Sequence, residues 1–312
     1  MVKVTKDLVS IIIPTYSRPV YLKRAIYSVL NQTYKNIEVV VVDDNDATSK
    51  YRKETEIVMT EFTENTKVKY IKHSKNKNGS AARNTGLKES KGYYIALLDD
   101  DDEFLPLKLE KQVEVLNKLD DSFGGVYCNY QQLLKGKITA KYKNIEEGNI
   151  VESLLLCNNS ICGGSTLLLK RTVLQDLNGF DISFLRYQDW ELLVRFFREH
   201  RLGISSDILV NIHMDSRINT VMSKKAILTK EKFLDTFKND IAALNCEKQI
   251  YKRQWYTLGL SLVEANQNEY AKQCFKRAHQ SQKLTIRDCL IIGLNWTNKY
   301  MPIKKVIKSI LK

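Results

Sequence analysis

Asp99, Asp100, Asp101 and Asp102 are consecutive and follow the apolar run Ile95-Ala96-Leu97-Leu98. Adjacent carboxylates repel one another, and the repulsion is relieved by full solvation or by a bound cation. A charge run alone fits a solvated acidic turn. The run ahead of it is short, continuous and apolar, as a buried strand is, so the acids stand where a strand leaves a sheet. In open α/β sheets ligands bind beyond the carboxyl ends of the strands. An Asp-x-Asp at such an end, here Asp99 and Asp101, suits Mg²⁺ or Mn²⁺ held between protein carboxylates and a diphosphate. Asp43-Asp44 close a second apolar run, Ile37 to Val42, and Pro14-Thr15-Tyr16 close another, Val9 to Ile13. Asp189 opens an amphipathic segment in which Trp190, Leu193, Val194 and Phe197 share one helical face. At a helix start its carboxylate is favoured by the free N–H groups and the macrodipole.

Positioning these groups requires elements that alternate. After the strand at Val9–Pro14, the residues Leu22, Ala25, Ile26, Val29 and Leu30 recur at helical spacing. The strand at Ile37–Val42 is followed by a weaker one at Val68–Ile71, then by a helix from Asn78 through Leu87. Pro106 opens another helix after the acidic run, with Leu109, Val113 and Leu116 on one face. Alternation through about Lys118 predicts an α/β fold with a mostly parallel, Rossmann-like sheet, whose strand ends lie side by side on one edge. Further strands are expected at 124–130, 165–169 and 208–213, with a turn at Asn178-Gly179-Phe180-Asp181.

A boundary near Val221 divides a first domain, 1–221, from a helical one, 222–312. In the second, Trp255, Leu258, Gly259, Leu262, Ala271, Phe275 and Ala278 have the spacing of one tetratricopeptide unit, which reads as a helical hairpin. Ile303, Val306, Ile307, Ile310 and Leu311 form one face of a short basic terminal helix that either packs on the domain or lies on a membrane.

Composition narrows the classes. Apolar residues are 43% of the 312, enough for a sizeable core. No secretory leader or membrane-spanning run is legible, and the six cysteines lack zinc spacing, which points to free thiols in the cytoplasm. The net charge of +13 is uneven: residues 1–223 carry 31 Lys+Arg against 29 Asp+Glu, and residues 224–312 carry 18 against 7. The basic tail therefore faces an anionic partner, and peripheral contact with the inner face of a membrane is the expectation. No groove-reading motif accompanies the charge, so nucleic acid is not expected.

Taken together and in order, Ser10-Ile11-Ile12-Ile13-Pro14-Thr15-Tyr16, Ser28 to Thr33, Val41-Val42-Asp43-Asp44, Ala82-Arg83-Asn84, Leu97 to Asp102, Asn178 to Asp181 and Gln188-Asp189-Trp190-Glu191 resemble the family 2 glycosyltransferases of GT-A fold, over about Val9 to Ser216. The resemblance implies sugar transfer from a nucleotide-diphosphate sugar, a UDP-sugar, to a glycan or lipid-linked hydroxyl in cell-surface polysaccharide synthesis, with inversion and with Mn²⁺ or Mg²⁺. It implies that Pro14, Thr15 and Tyr16 lie against the base and that Asp44 and Asp43 hydrogen-bond base or ribose. Arg83 falls beside base or diphosphate, Asp100 near the ribose, and Asp99 and Asp101 at the metal. Asp189 matches the catalytic base, and His213 falls where some relatives place a histidine near metal or diphosphate. The residue before the base is usually Glu and is Gln188 here, which removes one charge from the acceptor side. Two other readings fit the acids: a sugar-phosphate nucleotidyltransferase, which would favour a Gly-rich basic first loop, and a helical adaptor on a decayed transferase domain, against which the intact Asp99, Asp101 and Asp189 argue.

Overall fold

The computed structural model describes residues 4–158, 161, 163–215 and 224–296. They fall into two compact units, Met1–Leu154 with Asn159–Asn219, and Leu155–Asn158 with Thr220–Lys312.

In the first unit β1 (Thr5–Thr15), α1 (Pro19–Leu30), β2 (Ile37–Asp43), α2 (Lys50–Thr60), β3 (Val68–Lys72), α3 (Gly79–Glu89) and β4 (Gly92–Leu97) alternate. They are followed by β5 (Glu103–Phe104), α4 (Lys108–Lys118), β6 (Phe123–Leu134), β7 (Lys137–Tyr142) and α5 (Val151–Leu155). Last come β8 (Leu167–Lys170), α6 (Arg171–Asp176), α7 (Gln188–Phe196) and β9 (Arg201–His213). The strands make one sheet in the order β3-β2-β1-β4-β8-β6-β9-β5, with β7 on β6.

The fold class is α/β, as the alternation requires, but the sheet is parallel only in part. β3, β2, β1 and β4 are parallel, and so are β6 and β9; β8 runs antiparallel to both β4 and β6, and β5 and β7 pair antiparallel too. The cause is local at β7. Lys135 and Gly136, with φ of 49° and 73°, turn the chain straight back as a hairpin, where a parallel neighbour would need a crossover helix.

Side chains alternate along β1, so each face of the sheet has its own core. Ile11 and Ile13 join Val39, Val41, Ala96 and Leu98 with α1 and α4 on one face. Ile12 joins Ile95, Leu97, Leu167 and Leu169 with α7 on the other. Gly86 brings α3 against that second face: a Cβ there would stand 2.4 Å from Ile12 Cγ2. Helix α2 has no apolar period in the sequence because its buried residues are Arg52, Thr55 and Met59. Arg52 is the internal fastener of the β2 end: Nη2 donates to the carbonyls of Asp43 (3.2 Å) and His73 (2.7 Å), and Nε pairs with Asp43 Oδ2 at 2.9 Å.

The second unit contains α8 (Lys224–Thr236), α9 (Lys238–Ala242), α10 (Glu247–Glu264), α11 (Asn268–Ser281) and α12 (Ile286–Trp296). Helices α10 and α11 form a hairpin closed by small-to-large packing, since a Cβ at Gly259 would lie 2.5 Å from Phe275 Cε1. Arg277 stacks over Trp255, 4.6 Å from the ring centroid. Val221 and the terminal segment Ile303–Lys312 lie outside the described residues. Among the described residues no helix is long and apolar enough to cross a membrane.

Two measurements test this packing. Arg52→Ala strips a buried carboxylate and two carbonyls of their partner and should lower stability by about 3–5 kcal/mol in urea unfolding. Lys108 is fully buried, its Nζ donating to Gln112 Oε1 at 2.6 Å, and burial pushes its ammonium down to about 8. A folded-state value below the unfolded one, about 10.4, means that the unfolded chain binds more protons between the two. Stability should therefore rise with pH from about 8 upward, and Lys108→Met should flatten that rise.

Candidate active site at the carboxyl edge of the sheet

Register decides which residues meet. Ile12 stands opposite Val40 and Leu97, and Thr15 opposite Asp43. Counting on from Leu97, Asp100 comes level with Thr15, and the Thr15 hydroxyl donates to Asp100 Oδ2 at 2.7 Å. The ends of β1, β2 and β4 thus open on one cleft of about 430 Å³, lined by Pro14, Thr15, Tyr16, Asp44, Arg83 and Asp99 among others.

Two arginines balance the acids. Arg18 Nη2 lies 2.8 Å from Asp100 Oδ1 and its Nη1 2.5 Å from Asp101 Oδ2. Burial pushes the Asp100 carboxyl up to about 7, against the pull of Arg18 and with repulsion from Asp101. Arg83, buried at the other side of the cluster, donates from Nη2 to Asp99 Oδ1 and from Nη1 to Gln188 Oε1, both at 2.7 Å. Burial disfavours its charge, but Asp189, Asp99 and Asp100 around it prevail and hold its proton more tightly than usual. Arg83 therefore ties the β4 end to the start of α7.

Asp189 lies in the first turn of α7, after Tyr187 in the left-handed region at φ 60°. Its carboxylate rests on the backbone of Gly163 and Gly164: a Cβ at Gly163 would come within 2.9 Å of Oδ2, and one at Gly164 within 3.4 Å of Oδ1. This Gly-Gly pair was the signal in the sequence that marks the seat of Asp189. Ser165 follows it and serves the acids from below, donating to Asp102 Oδ2 at 2.7 Å and accepting from Asp99 N at 3.1 Å.

The structure separates the two acids of the β2 end. Asp43 is fully buried behind the cleft: Oδ1 accepts from Asn45 N and Nδ2, and Oδ2 accepts from Tyr70 and pairs with Arg52. These contacts fasten the β2 end from within. Asp44 lines the cleft and is oriented by His73 Nδ1 (2.7 Å), Lys77 N (2.9 Å) and Asn76 Nδ2 (2.8 Å). His73, whose Nε2 sits 2.9 Å from Thr85 Oγ1, carries no sequence signal beyond its place after β3. Asn84 explains why two distant motifs occur together. Its side chain pairs with the Phe180 backbone in both directions, at 2.8 Å each, and Gly179 leaves room for it.

Asp99, Asp101 and Asp102 offer carboxylate oxygens within 4.8 Å of one another. Three hard oxygen donors with this spacing fit Mg²⁺ or Mn²⁺. Asp102 is the third member of this cluster. His213, at the end of β9, has its Nε2 3.2 Å from Glu103 Oε2, across the β5–β9 pairing.

Removing the Arg83 fork should be felt on both sides of the cleft. Arg83→Met should cost about 2–3 kcal/mol in urea unfolding, and Arg83→Lys should recover only part of it, because one ammonium cannot reach Asp99 and Gln188 in a fixed plane.

Comparison with known proteins agrees with this geometry. Residues 10–177 match the family model described as glycosyl transferase family 2. An uncharacterized glycosyltransferase of Rickettsia prowazekii (strain Madrid E), RP339, is 34% identical over 224 residues, 70% of this chain and 68% of that one. The chain spans 35%, 36% and 31% of three longer rickettsial relatives. The Escherichia coli protein WfgD, a UDP-Glc:α-D-GlcNAc-diphosphoundecaprenol β-1,3-glucosyltransferase, is 33% identical over 196 residues, 63% of this chain and 72% of that one. Among solved structures, S. aureus TarS 1-349 in complex with UDP-GlcNAc superposes with a TM-score of 0.57 at 16% identity, over 93% of this chain and 79% of that one, which is a likeness of fold. A GT-A sheet whose edge gathers these acids, and a family match over more than half its length, make this chain a glycosyltransferase that belongs to glycosyl transferase family 2.

Proposed function

We propose that the enzyme transfers a sugar from a UDP-sugar to a hydroxyl of a glycan or lipid-linked acceptor, with inversion and with a divalent cation, in building a cell-surface polysaccharide at the inner face of the cytoplasmic membrane. The observation that carries this reading is Arg83, bonded to Asp99 on one side and to Gln188 beside Asp189 on the other, within one cleft. The substrates named for WfgD support the donor nucleotide and the lipid-linked acceptor.

In this reading the chain's own groups divide the work. Tyr16, with Pro14 and Thr15, covers the base, and Asp44, already oriented by His73, Asn76 and Lys77, accepts from base or ribose. Asp100, level with Thr15, stands near the ribose. The N-terminus of α3 opens on the cleft at Asn78 and Gly79, where free N–H groups and the helix dipole favour a diphosphate, and Arg83 adds a full charge. Asp99, Asp101 and Asp102 would hold the cation, and His213, paired with Glu103, is the further candidate. A bound divalent cation supplies Lewis-acid charge for the departing diphosphate.

The acceptor hydroxyl is a weak nucleophile, so its proton must leave as it attacks. Asp189 takes that proton, a step worth about 10²–10⁴-fold. Its carboxylate rests against the bare backbone of Gly163 and Gly164. With Asp189 as the base, the hydroxyl displaces the diphosphate in one step, hence inversion.

The test is release of UDP from UDP-glucose and UDP-N-acetylglucosamine, with GDP-mannose as a control and pyrophosphate measured in parallel. Asp101→Ala should weaken donor binding at least tenfold in titration calorimetry with Mn²⁺, and chelator should do the same to the parent. Asp189→Ala should leave donor affinity in place and lower transfer by about 10²–10⁴-fold. Release of pyrophosphate in place of UDP would overturn the assignment in favour of nucleotidyl transfer.

A further inference from the structure

Helix α12 turns its apolar stripe to solvent. Ile286, Cys289, Leu290, Gly293 and Trp296 recur at i, i+3, i+4, i+7 and i+10, which is one side of a helix. In a globular unit such a stripe normally faces the core. Here Ile286 is 83% exposed and Leu290 62%, while Trp296, 37% exposed, closes the stripe against α11 with its ring 6.3 Å from that of Phe275. Cys289 is exposed as well, and a Cβ at Gly293 would meet nothing within 4 Å.

The polar side is the one that seats the helix. Asn295 is the buried residue of α12, its Nδ2 donating to Ile291 O at 2.8 Å. Asp288 pairs with Lys252 Nζ at 2.7 Å, accepts from Thr285 N at 2.8 Å, and its carbonyl accepts from Tyr256 at 3.4 Å. Lys252 and Tyr256 both belong to α10, so the Asp288 contacts set the rotation of α12 with Ile286 and Leu290 outward.

Cations border the stripe. Lys283 and Arg287 are exposed at its N-terminal end. At its other end Lys272 Nζ stands 5.9 Å from the Trp296 ring centroid, with Glu269 its nearby anion at 2.7 Å. Residues 224–312 as a whole carry 18 Lys+Arg against 7 Asp+Glu. A second copy of this chain would bring the same surplus of positive charge against itself, whereas an anionic surface complements it.

We propose that this face of α12 seats the second unit on an anionic lipid surface. Ile286 and Leu290 enter the acyl boundary, Trp296 lies at the level of the headgroups, and Lys283, Arg287 and Lys272 meet their charges. The transferase reading supplies only the reason for an enzyme of lipid-linked acceptors to be there; the docking face stands on its own observations, and its test uses neither donor nor acceptor.

The test is co-sedimentation of the full chain with vesicles of phosphatidylcholine alone, and of phosphatidylcholine and phosphatidylglycerol in equal parts, at low and high salt. The parent should bind the anionic vesicles, weakly at high salt, and leave the neutral ones in comparison. Ile286→Ser combined with Leu290→Ser should lower that binding about tenfold or more, while Leu228→Ser, an exposed apolar residue on α8, should not change it. Tryptophan emission should shift to the blue on anionic vesicles, and Trp296→Phe should remove most of the shift, which keeps a second readout if the double variant folds poorly. Equal vesicle binding by parent and double variant, equal binding to neutral vesicles, or a parental dimer that the double variant dissociates would each overturn the proposal. UDP release without vesicles, measured on the same variants, should stay at the parental rate; its loss would bear on the transferase reading instead.

Discussion

The constraint on which the site depends is the burial of one guanidinium. Arg83 is removed from water on a helix that packs against β1 through Gly86, and a buried cation persists only if acids and acceptors surround it. Asp99, Gln188 and Asp189 meet that demand from two segments about a hundred residues apart. The same requirement that keeps α3 folded onto the sheet therefore holds the Asp-x-Asp end and the candidate base at one cleft. Gln188 is informative in this respect. A neutral partner accepts one hydrogen bond and leaves the charge of Arg83 to be shared among Asp99, Asp189 and a ligand.

Around this pivot the acids differ in what they can still do. Asp43 is consumed by Asn45, Tyr70 and Arg52 and belongs to the architecture. Asp44, one residue on, keeps a face to the cleft because its supporters, His73, Asn76 and Lys77, approach from behind. Asp100 is held by Thr15 and Arg18, and Asp102 by Ser165. A run of four acids is thus not one feature. It is a turn after β4, closed by Asp102 N donating to Asp99 O at 3.0 Å, in which Asp99 lines the cleft while Asp100, Asp101 and Asp102 are buried against their partners.

Much of this was legible in the residues. The apolar runs ending at Pro14, Val42 and Leu98 are long and regular enough to read as strands, and strand ends on one edge of a sheet must be neighbours. The start of α7 at Gln188-Asp189 was legible from the apolar spacing behind it. What escaped had physical reasons. Helix α2 hides because Arg52 and Thr55 take core positions that periodicity reserves for apolar residues. Arg18, Ser165 and His73 are polar residues in loops or beside them, and only the fold shows that they touch the acids. The antiparallel β7 turns on Lys135-Gly136, a turn whose left-handed geometry the hydrophobic pattern does not record. On α12 the apolar Ile286 and Leu290 face solvent, while Asp288 is paired to Lys252 of α10.

The pairing of Ile12 with Val40 and Leu97 also sets where this chain can change length. An extra residue inside β4 would advance the acids that follow by about 3.4 Å, so Thr15 would come level with Asp99 in place of Asp100. Insertions and deletions are therefore confined to the amino-terminal edge of the sheet, at connections such as Lys35-Asn36 and Ser90-Lys91, which lie ahead of the strands. Relatives that carry additional sequence have room for it there or beyond the sheet, and not within the strands that aim the carboxylates.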